Sequence, residues 1–195
     1  MTEARIGRLL PACLHQAIGD VLPERMDFYE LWLRSEGLRD GSIGLGPLTA
    51  VLGFRRTEHA YGGVVTRAGR LAGEWTVASM TPLRRRAIGW LPRPLRARVA
   101  LRVVAAIVEQ VCTTSLASPR VRRRAASLDV TASLFCTVRE TQAQPLCGFY
   151  AAAATEVLAL FGLPARAQLE RCRAVDGATC VIAIEFIGAD AVAAA

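Results

Sequence analysis

The stretch LERCRAVDGATC, residues 169–180, contains an Asp-Gly pair between two short alternating segments. This pattern predicts two strands joined by a tight turn. Because successive residues of a strand point to opposite sides, we expect Glu170 and Cys172 on one face of the hairpin. A three-residue loop at 175–177, which ends in glycine, then places Cys180 opposite Cys172 on that face.

Two thiols and a carboxylate converge in this predicted hairpin, and Cys147 is available from a preceding helix. Thiolates together with one carboxylate form a donor set that suits zinc. The pattern therefore predicts a metal site formed by Cys147, Glu170, Cys172 and Cys180. Two other interpretations stay open: free cysteines often fill a core, and facing cysteines can form a disulfide. The chain has no C-x-x-C pair of the kind that zinc fingers use.

The composition predicts one compact domain with a basic surface. The chain has 195 residues, of which 52% are hydrophobic and 21% charged, and all 24 basic residues are arginine, for a net charge of +7. The arginines cluster at 84–86, 93–98 and 120–124. No aromatic residue is interleaved with 120–124, so we expect no nucleic acid partner. A solvated basic face is the favoured interpretation, with an anionic membrane surface or an acidic ligand as alternatives.

The pattern of apolar residues predicts a cytoplasmic protein. The first residues lack the layout of a signal peptide. The longest apolar segment, 99–111, is interrupted by Arg102 and Glu109, and it is shorter than the about 18 residues of a membrane span. In the cytoplasm six cysteines are expected as thiols or ligands. Trp90, in a basic segment, leaves peripheral membrane association open.

Hydrophobic periodicity predicts helices followed by a small sheet in a single domain over 1–187. The N-terminal part, 1–115, is expected to be helical, the core motif covers 127–187, and 188–195 form a disordered tail. The predicted helices are 6–21, 26–35, 47–54, 57–77, 99–112 and 147–161, and the predicted strands are 127–139, 165–174 and 178–187. Residues 81–98 contain three prolines and are expected to be an irregular connector.

The helix at 57–77 carries an unusual number of small residues. Its four glycines, Gly62, Gly63, Gly69 and Gly73, each weaken a helix by roughly 1 kcal/mol relative to alanine, which indicates a packing need. Close approach of a neighbouring helix is the favoured explanation, and a face for a flat ligand is the alternative.

The order of a strand, a helix that starts at a cysteine and a Glu-x-Cys hairpin resembles the 4-vinyl-reductase domain family. The segments AGRLAGEWT at 68–76 and CGFYAA at 147–152 are similar to members of that family from bacteriochlorophyll biosynthesis. The resemblance implies an α+β fold, with a small antiparallel sheet packed with helices. That ligand-binding fold is shared by nitric-oxide-signalling sensors and Golgi-transport subunits, and it often forms a homodimer.

The same resemblance implies a zinc ion, because similar sensor domains bind zinc through cysteines and a glutamate of this hairpin. Carried over to this sequence, the ligands are again Cys147, Glu170, Cys172 and Cys180. Glu170 lies two residues before Cys172, whereas the sensor pattern has three. Cys136 is therefore the alternative fourth ligand, and Glu170 would then support the site from outside it.

For function, the resemblance implies a tetrapyrrole-handling protein of bacteriochlorophyll synthesis. Reduction of a 4-vinyl group needs a hydride or electron donor, the sequence has no dinucleotide-binding fingerprint for NAD or FAD, and zinc has no redox role. We therefore expect binding or delivery of a chlorophyllide-type molecule, in contact with pigment-synthesis enzymes, and leave catalysis open. The alternative is a small-molecule-sensing or protein-interaction module of the same fold.

The expected ligand pocket lies among the helices, lined by His59, Tyr61 and Trp75. His59 or His15 is a candidate ligand for the magnesium of a bound tetrapyrrole. Arginines are expected to pair with its propionate groups.

Overall fold

A computed structural model describes residues 6–34, 37, 45–56, 60–122, 124–137, 141–176 and 179–188 of the chain. The predicted α+β class is confirmed: helices pack on one small antiparallel sheet. Residues 189–195 of the predicted tail at 188–195, and His59, lie outside the described residues. No helix among the described residues is long and apolar enough to cross a bilayer.

Among the described residues, six α-helices precede the first strand. The helices are α1 (Leu9–Val21), α2 (Met26–Glu30), α3 (Leu45–Arg56), α4 (Tyr61–Ala78), α5 (Pro82–Trp90) and α6 (Arg93–Val111). Five of them were predicted, with boundaries that shift by up to six residues at one end, and α5 was not.

The prediction of an irregular connector over 81–98 is wrong, because these residues form α5 and the start of α6. Prolines do not interrupt these helices: Pro82 is the first residue of α5, and Pro94 lies in the first turn of α6. Proline suits these positions because its fixed φ matches a helix and its missing N–H has no partner there anyway. The hydroxyl of Thr81 caps α5 by accepting from the N–H of Arg84.

The sheet contains four antiparallel strands in the order β1-β2-β4-β3. Strand β1 was not predicted, because Pro119 and Arg120 obscure its alternation. Proline is tolerated in β1 since this strand lies at the edge of the sheet. The predicted strand at 127–139 is only partly right, because the chain leaves the sheet after Thr131. The strands are β1 (Leu116–Val121), β2 (Ala125–Thr131), β3 (Ala165–Arg171) and β4 (Cys180–Phe186).

The two faces of the sheet differ sharply. Leu128 and Val130 of β2, with Ile182 and Ile184 of β4, are buried on the face that packs against α6 and α7 (Gly148–Leu160). The other face is open, and its outer strands carry exposed side chains such as Arg120, Arg166 and Gln168. One face of the sheet is therefore part of the core, and the other face is accessible to solvent and to a ligand.

Helix α4 packs closely on α7 through two of its glycines. A Cβ on Gly69 would collide with the carbonyl oxygen of Phe149, and one on Gly73 would lie 3.0 Å from the Cβ of Glu156. This contact supports the helix-packing explanation of the small residues. At Gly69 and Gly73, the glycine face is occupied by α7 and is not a surface for a flat ligand.

Candidate metal centre

Four cysteines from separate parts of the chain meet beneath the sheet. Cys136 ends a 3₁₀ turn over Leu134–Cys136, and Cys147 is the N-cap residue of α7. Cys172 follows β3 and precedes the short helix α8 (Arg173–Asp176), and Cys180 begins β4. All four side chains are buried, with at most 4% of their surface exposed. We call this group the cysteine cluster.

The sulfur atoms of the cysteine cluster are within reach of a single ion. The Sγ of Cys136 lies 2.9 Å from that of Cys147 and 3.4 Å from those of Cys172 and Cys180. The Sγ atoms of Cys147 and Cys180 are 3.3 Å apart, and all four lie within 4.8 Å of one another. Tetrahedral Zn–S bonds of about 2.3 Å place sulfurs about 3.8 Å apart. The donor set therefore matches one metal ion in number, and its sulfurs are close enough together to share that ion after a small outward shift.

The alternative of a disulfide does not hold in this structure. All six cysteines of the chain are free. Each cysteine of the cluster also has more than one sulfur neighbour, which a single disulfide pair does not explain.

Glu170 is not part of the cysteine cluster, and a β-bulge is the physical reason. Leu169 pairs with Ile182 and Arg171 pairs with Val181, so β3 contains one residue more than β4 at this point. The extra residue breaks the alternation of side chains. Glu170 is exposed on the open face, whereas Cys172 points to the buried face. The prediction of Glu170 as a ligand does not fit the structure, and Cys136 takes the fourth place.

The predicted three-residue loop at 175–177 also differs from the structure. Residues 173–176 form the helical turn α8, while Gly177 lies outside the described residues. The N–H of Gln142 donates to the carbonyl of Ala174 at 2.7 Å, which ties α8 to the segment that leads into α7.

Hydrogen bonds from the backbone support two of the sulfurs. The N–H of Leu146 donates to the Sγ of Cys172, and the N–H of Arg173 donates to the Sγ of Cys180, both at 3.4 Å. Such bonds favour a thiolate over a thiol. The hydroxyl of Ser133, itself buried, lies 3.2 Å from the Sγ of Cys147. Partners of this kind orient metal ligands in proteins.

Hydrogen bonds within the cysteine cluster shift the pKa values of its thiols in different directions. Hydrogen bonds from Cys136 and Cys147 lower the pKa of Cys180, and the hydrogen bond from Cys147 lowers the pKa of Cys172 to about 6. The pKa of Cys147 is raised, because its hydrogen bonds to the other three sulfurs favour the protonated form. A lowered pKa favours the thiolate, which is the form that binds a cation.

Three aromatic rings that pack together are close in sequence to two residues of the cysteine cluster. Phe135 precedes Cys136, and Phe149 and Tyr150 follow Cys147 in the first turn of α7. The ring of Phe135 stacks on Phe149 at 5.2 Å and meets Tyr150 edge-on at 5.4 Å. All three are fully buried. An apolar shell of this kind limits the access of water to a metal site.

Two of the three residues predicted to line a pocket among the helices, Tyr61 and Trp75, lie far apart on α4, and His59 lies outside the described residues. The hydroxyl of Tyr61 donates to the carbonyl of Leu146 at 3.3 Å, so Tyr61 supports the segment before Cys147. Trp75 lies about 21 Å further along α4, given a rise of about 1.5 Å per residue, and is 37% exposed. His15 lies 3.7 Å from Glu30 on α2.

A groove of about 660 Å³ runs over the open face of the sheet. Its central strands contribute the small residues Ser127, Val181 and Ala183. Arginines and acids from all four strands and from the β1–β2 turn surround them: Arg120, Arg122, Arg124, Arg166 and Arg171, with Asp129, Glu170 and Glu185. We call this the sheet groove.

Sequence reasoning missed the sheet groove, because its lining depends on how strands pair. Ser127 faces Ala183, which in turn faces Gln168, although these residues are up to 56 positions apart. The sequence feature that points to the groove is the alternation of polar residues in β3, where Arg166, Gln168 and Glu170 lie on one side of the strand.

Comparisons with known proteins give a similarity to solved structures and none to a family model or a curated protein. A solved structure, the phenol-responsive sensory domain of the transcription activator PoxR with phenol, is similar to this chain at 14% sequence identity and a TM-score of 0.49. The match covers 74% of this chain and 79% of that chain.

Proposed function

We propose that this chain is a zinc-stabilised binding protein that carries a flat, carboxylate-bearing small molecule of the chlorophyllide type. The sheet groove is the observation on which the binding proposal rests. The resemblance of the sequence to the 4-vinyl-reductase domain family supplies the class of ligand, and bacteriochlorophyll synthesis is the pathway in which such a carrier would act.

The size and the floor of the sheet groove suit such a ligand. Its volume of about 660 Å³ lies in the range of ligand sites in proteins, roughly 300–1,000 Å³. The small side chains of Ser127 and Ala183 leave the floor shallow, so a planar ring system can lie against it. This binding surface replaces the helical pocket that the sequence predicted.

The charges of the sheet groove favour an anion. Five arginines line it together with three carboxylates, and Arg120 is already paired with Asp129 at 2.9 Å. The remaining four arginines exceed the remaining two acids, Glu170 and Glu185. Guanidinium groups bind carboxylates through paired hydrogen bonds, so propionate groups at the edge of a macrocycle are suitable partners.

The cysteine cluster is the structural element of this proposal. Four thiolates in a closed tetrahedral set are the donors of structural zinc sites. An ion held by Cys136, Cys147, Cys172 and Cys180 would join a 3₁₀ turn, the start of α7 and the adjoining ends of β3 and β4. Zinc supplies charge neutralisation and cross-linking there, and four protein ligands leave no position for a substrate. We therefore assign ligand binding to the groove and stability to the cluster.

A pigment titration tests the binding proposal. Divinyl and monovinyl chlorophyllide are mixed with the purified protein, with and without NADPH, and absorption spectra are recorded. We expect a bound, red-shifted and unreduced pigment. Formation of the ethyl product would contradict the carrier and indicate a reductase. Absence of binding would contradict it and favour the sensing or interaction module.

A matched pair of variants locates the ligand. Arg166→Gln with Arg171→Gln removes two charges from the sheet groove, and Arg70→Gln with Arg102→Gln removes two exposed charges from the helices. We expect the groove variant to raise the pigment Kd about tenfold or more and the helix variant to leave it within about twofold. Equal effects of both variants would show that the groove is not the site.

A further inference from the structure

Helix α5 presents apolar side chains to solvent on the side opposite its anchor to the protein. Ile88 is the one buried residue of α5, with 5% of its surface exposed. Leu83 is 82% exposed and Trp90 is 87% exposed. These two residues are seven positions apart, about two helical turns, so they lie on one side of the helix. Ile88 lies on the other side, about 140–160° away around the axis.

Three exposed arginines, Arg84, Arg85 and Arg86, follow one another in the first half of α5. Arg84 and Arg86 lie on the two sides of the apolar stripe, whereas Arg85 lies about 140–160° from it, nearer the side of Ile88. No acidic side chain pairs with them among the residues that the structure describes. The first turn of α5 also has no acidic residue, so the positive end of the helix dipole lies beside uncompensated positive charge. An anionic partner would relieve this repulsion.

The rest of the protein gives α5 little support. Nine-residue helices are marginal in water unless packing stabilises them, and here packing involves one side chain. The cap by Thr81 and the proline at the first position favour the helix locally. Helix α5 is anchored by one side chain and is apolar on its exposed side, and these are features of a binding surface.

We propose that α5 docks the protein onto an anionic lipid bilayer, with Leu83 and Trp90 in the interface and the flanking Arg84 and Arg86 at the headgroups. Basic amphipathic helices lie in membrane interfaces in this way, and tryptophan favours the headgroup level. Arginine side chains are long enough to reach the phosphates while their stems contact the apolar layer. Leu83 and Trp90 are 82% and 87% exposed, so both side chains are accessible to a flat bilayer. This inference does not depend on the ligand of the sheet groove.

Co-sedimentation of the full chain with vesicles tests this proposal. Vesicles of phosphatidylcholine alone are compared with vesicles that contain about 30% phosphatidylglycerol, at about 0.1 M salt. We expect the protein to sediment with the anionic vesicles, to remain in solution with the neutral ones, and to be released at about 1 M salt. No association with anionic vesicles would overturn the proposal.

Three variants separate the contributions of the apolar stripe and of the α5 arginines to vesicle association from the effect of the protein's overall positive charge. The first, Leu83→Ser with Trp90→Ser, removes the apolar stripe; the second, Arg84→Gln with Arg85→Gln and Arg86→Gln, removes the positive charges of the helix. A control, Arg25→Gln with Arg70→Gln and Arg102→Gln, removes three exposed charges that lie outside both α5 and the sheet groove. Each of the first two should weaken association about tenfold or more, and the control should change it less than about twofold. Equal loss in the control and the charge variant would overturn the proposal.

Fluorescence gives a readout that is specific to Trp90. We expect anionic vesicles to shift the emission to the blue and vesicles with brominated acyl chains to quench it, and both effects should disappear in Trp90→Phe. Persistence of quenching in Trp90→Phe would overturn the proposal. Retention of the protein by polyglutamate without binding to vesicles would also overturn it, and would indicate an acidic protein partner.

Discussion

Glu170 and Cys172 lie on opposite faces of the sheet, although a single residue separates them in the chain. The bulge between Leu169 and Arg171 inserts one residue into β3 and reverses the alternation that follows it. Cys172 therefore turns to the buried face, where Cys180 and the other two cysteines lie, while Glu170 lines the sheet groove. One backbone irregularity thus decides which residues can bind a metal and which can meet a ligand.

A pair of substitutions tests this assignment of residues. Cys136→Ser removes one of four clustered sulfurs, and we expect it to abolish stoichiometric zinc and to lower the free energy of unfolding by several kcal/mol. Glu170→Gln should retain zinc, because its side chain is exposed on the other face. Zinc content by elemental analysis and urea unfolding are the measurements. Loss of zinc in Glu170→Gln together with retention in Cys136→Ser would contradict the assignment.

Removal of the metal provides a second prediction. A strong chelator at neutral pH should lower the melting temperature, since an ion that binds only the folded chain stabilises it. Zinc should restore the original value, whereas Mg²⁺ should not, because Mg²⁺ prefers oxygen ligands. Differential scanning calorimetry follows both steps. An unchanged melting temperature after the ion is gone would mean that the cluster is only a packing element.

Ionisation of the buried thiol of Cys13 is expected to lower the free energy of unfolding at alkaline pH. Burial, with a smaller effect of Glu74, raises the pKa of Cys13 from 9.0 to about 12. The folded chain therefore keeps a proton that the unfolded chain releases, so stability is fully present below pH 9.0 and falls as the pH rises towards about 12. The loss should be about 1.4 kcal/mol for each pH unit in this window.

Cys13→Ala is the control for this dependence of the free energy of unfolding on pH. Alanine has no thiol to titrate, so the variant should lose less stability than the original chain between pH 9 and about 12. It should also keep its zinc, because Cys13 lies outside the cysteine cluster. Urea unfolding at a series of pH values under reducing conditions measures both slopes, and parallel slopes would contradict the prediction.

Gly69→Ala tests the packing of α4 on α7. The added methyl group would meet the carbonyl oxygen of Phe149, so we expect a loss of about 1–3 kcal/mol in the free energy of unfolding. Gly62→Ala, in the same helix, meets nothing within 4 Å and should be neutral or slightly stabilising. If both variants have the same stability, the close approach of the two helices is not as described.

Much of the fold follows from periodicity, and the exceptions have local causes. Helices α1, α4, α6 and α7 were predicted, and α7 ends at Leu160, one residue before the predicted end and shortly before Gly162, whose φ is 67°. Helix α5 was missed because Pro82, Pro92 and Pro94 were interpreted as interruptions, although prolines are suited to the start of a helix. Strand β1 was missed because it contains Pro119 and the exposed Arg120, which an edge strand tolerates.

The sequence predicted three of the four cysteines of the cluster, but it did not predict how the side chains are arranged in space. Spacing in the hairpin indicated Cys172 and Cys180, and the helix start indicated Cys147. A bulge leaves no clear mark in the sequence, so the alternation rule assigned Glu170 to the wrong face. Cys136 fell within a predicted strand at 127–139, but β2 ends at Thr131 and the chain then turns back towards α7. The structure was needed to bring the fourth sulfur into the cluster.

X-ray absorption at the zinc edge, on protein purified without chelators, identifies the atoms that surround the metal in the cysteine cluster. We expect one zinc ion per chain, surrounded by four sulfur atoms at about 2.3 Å. An oxygen or nitrogen atom among the ligands would contradict the four-cysteine centre. Absence of stoichiometric metal from the folded protein would contradict it as well.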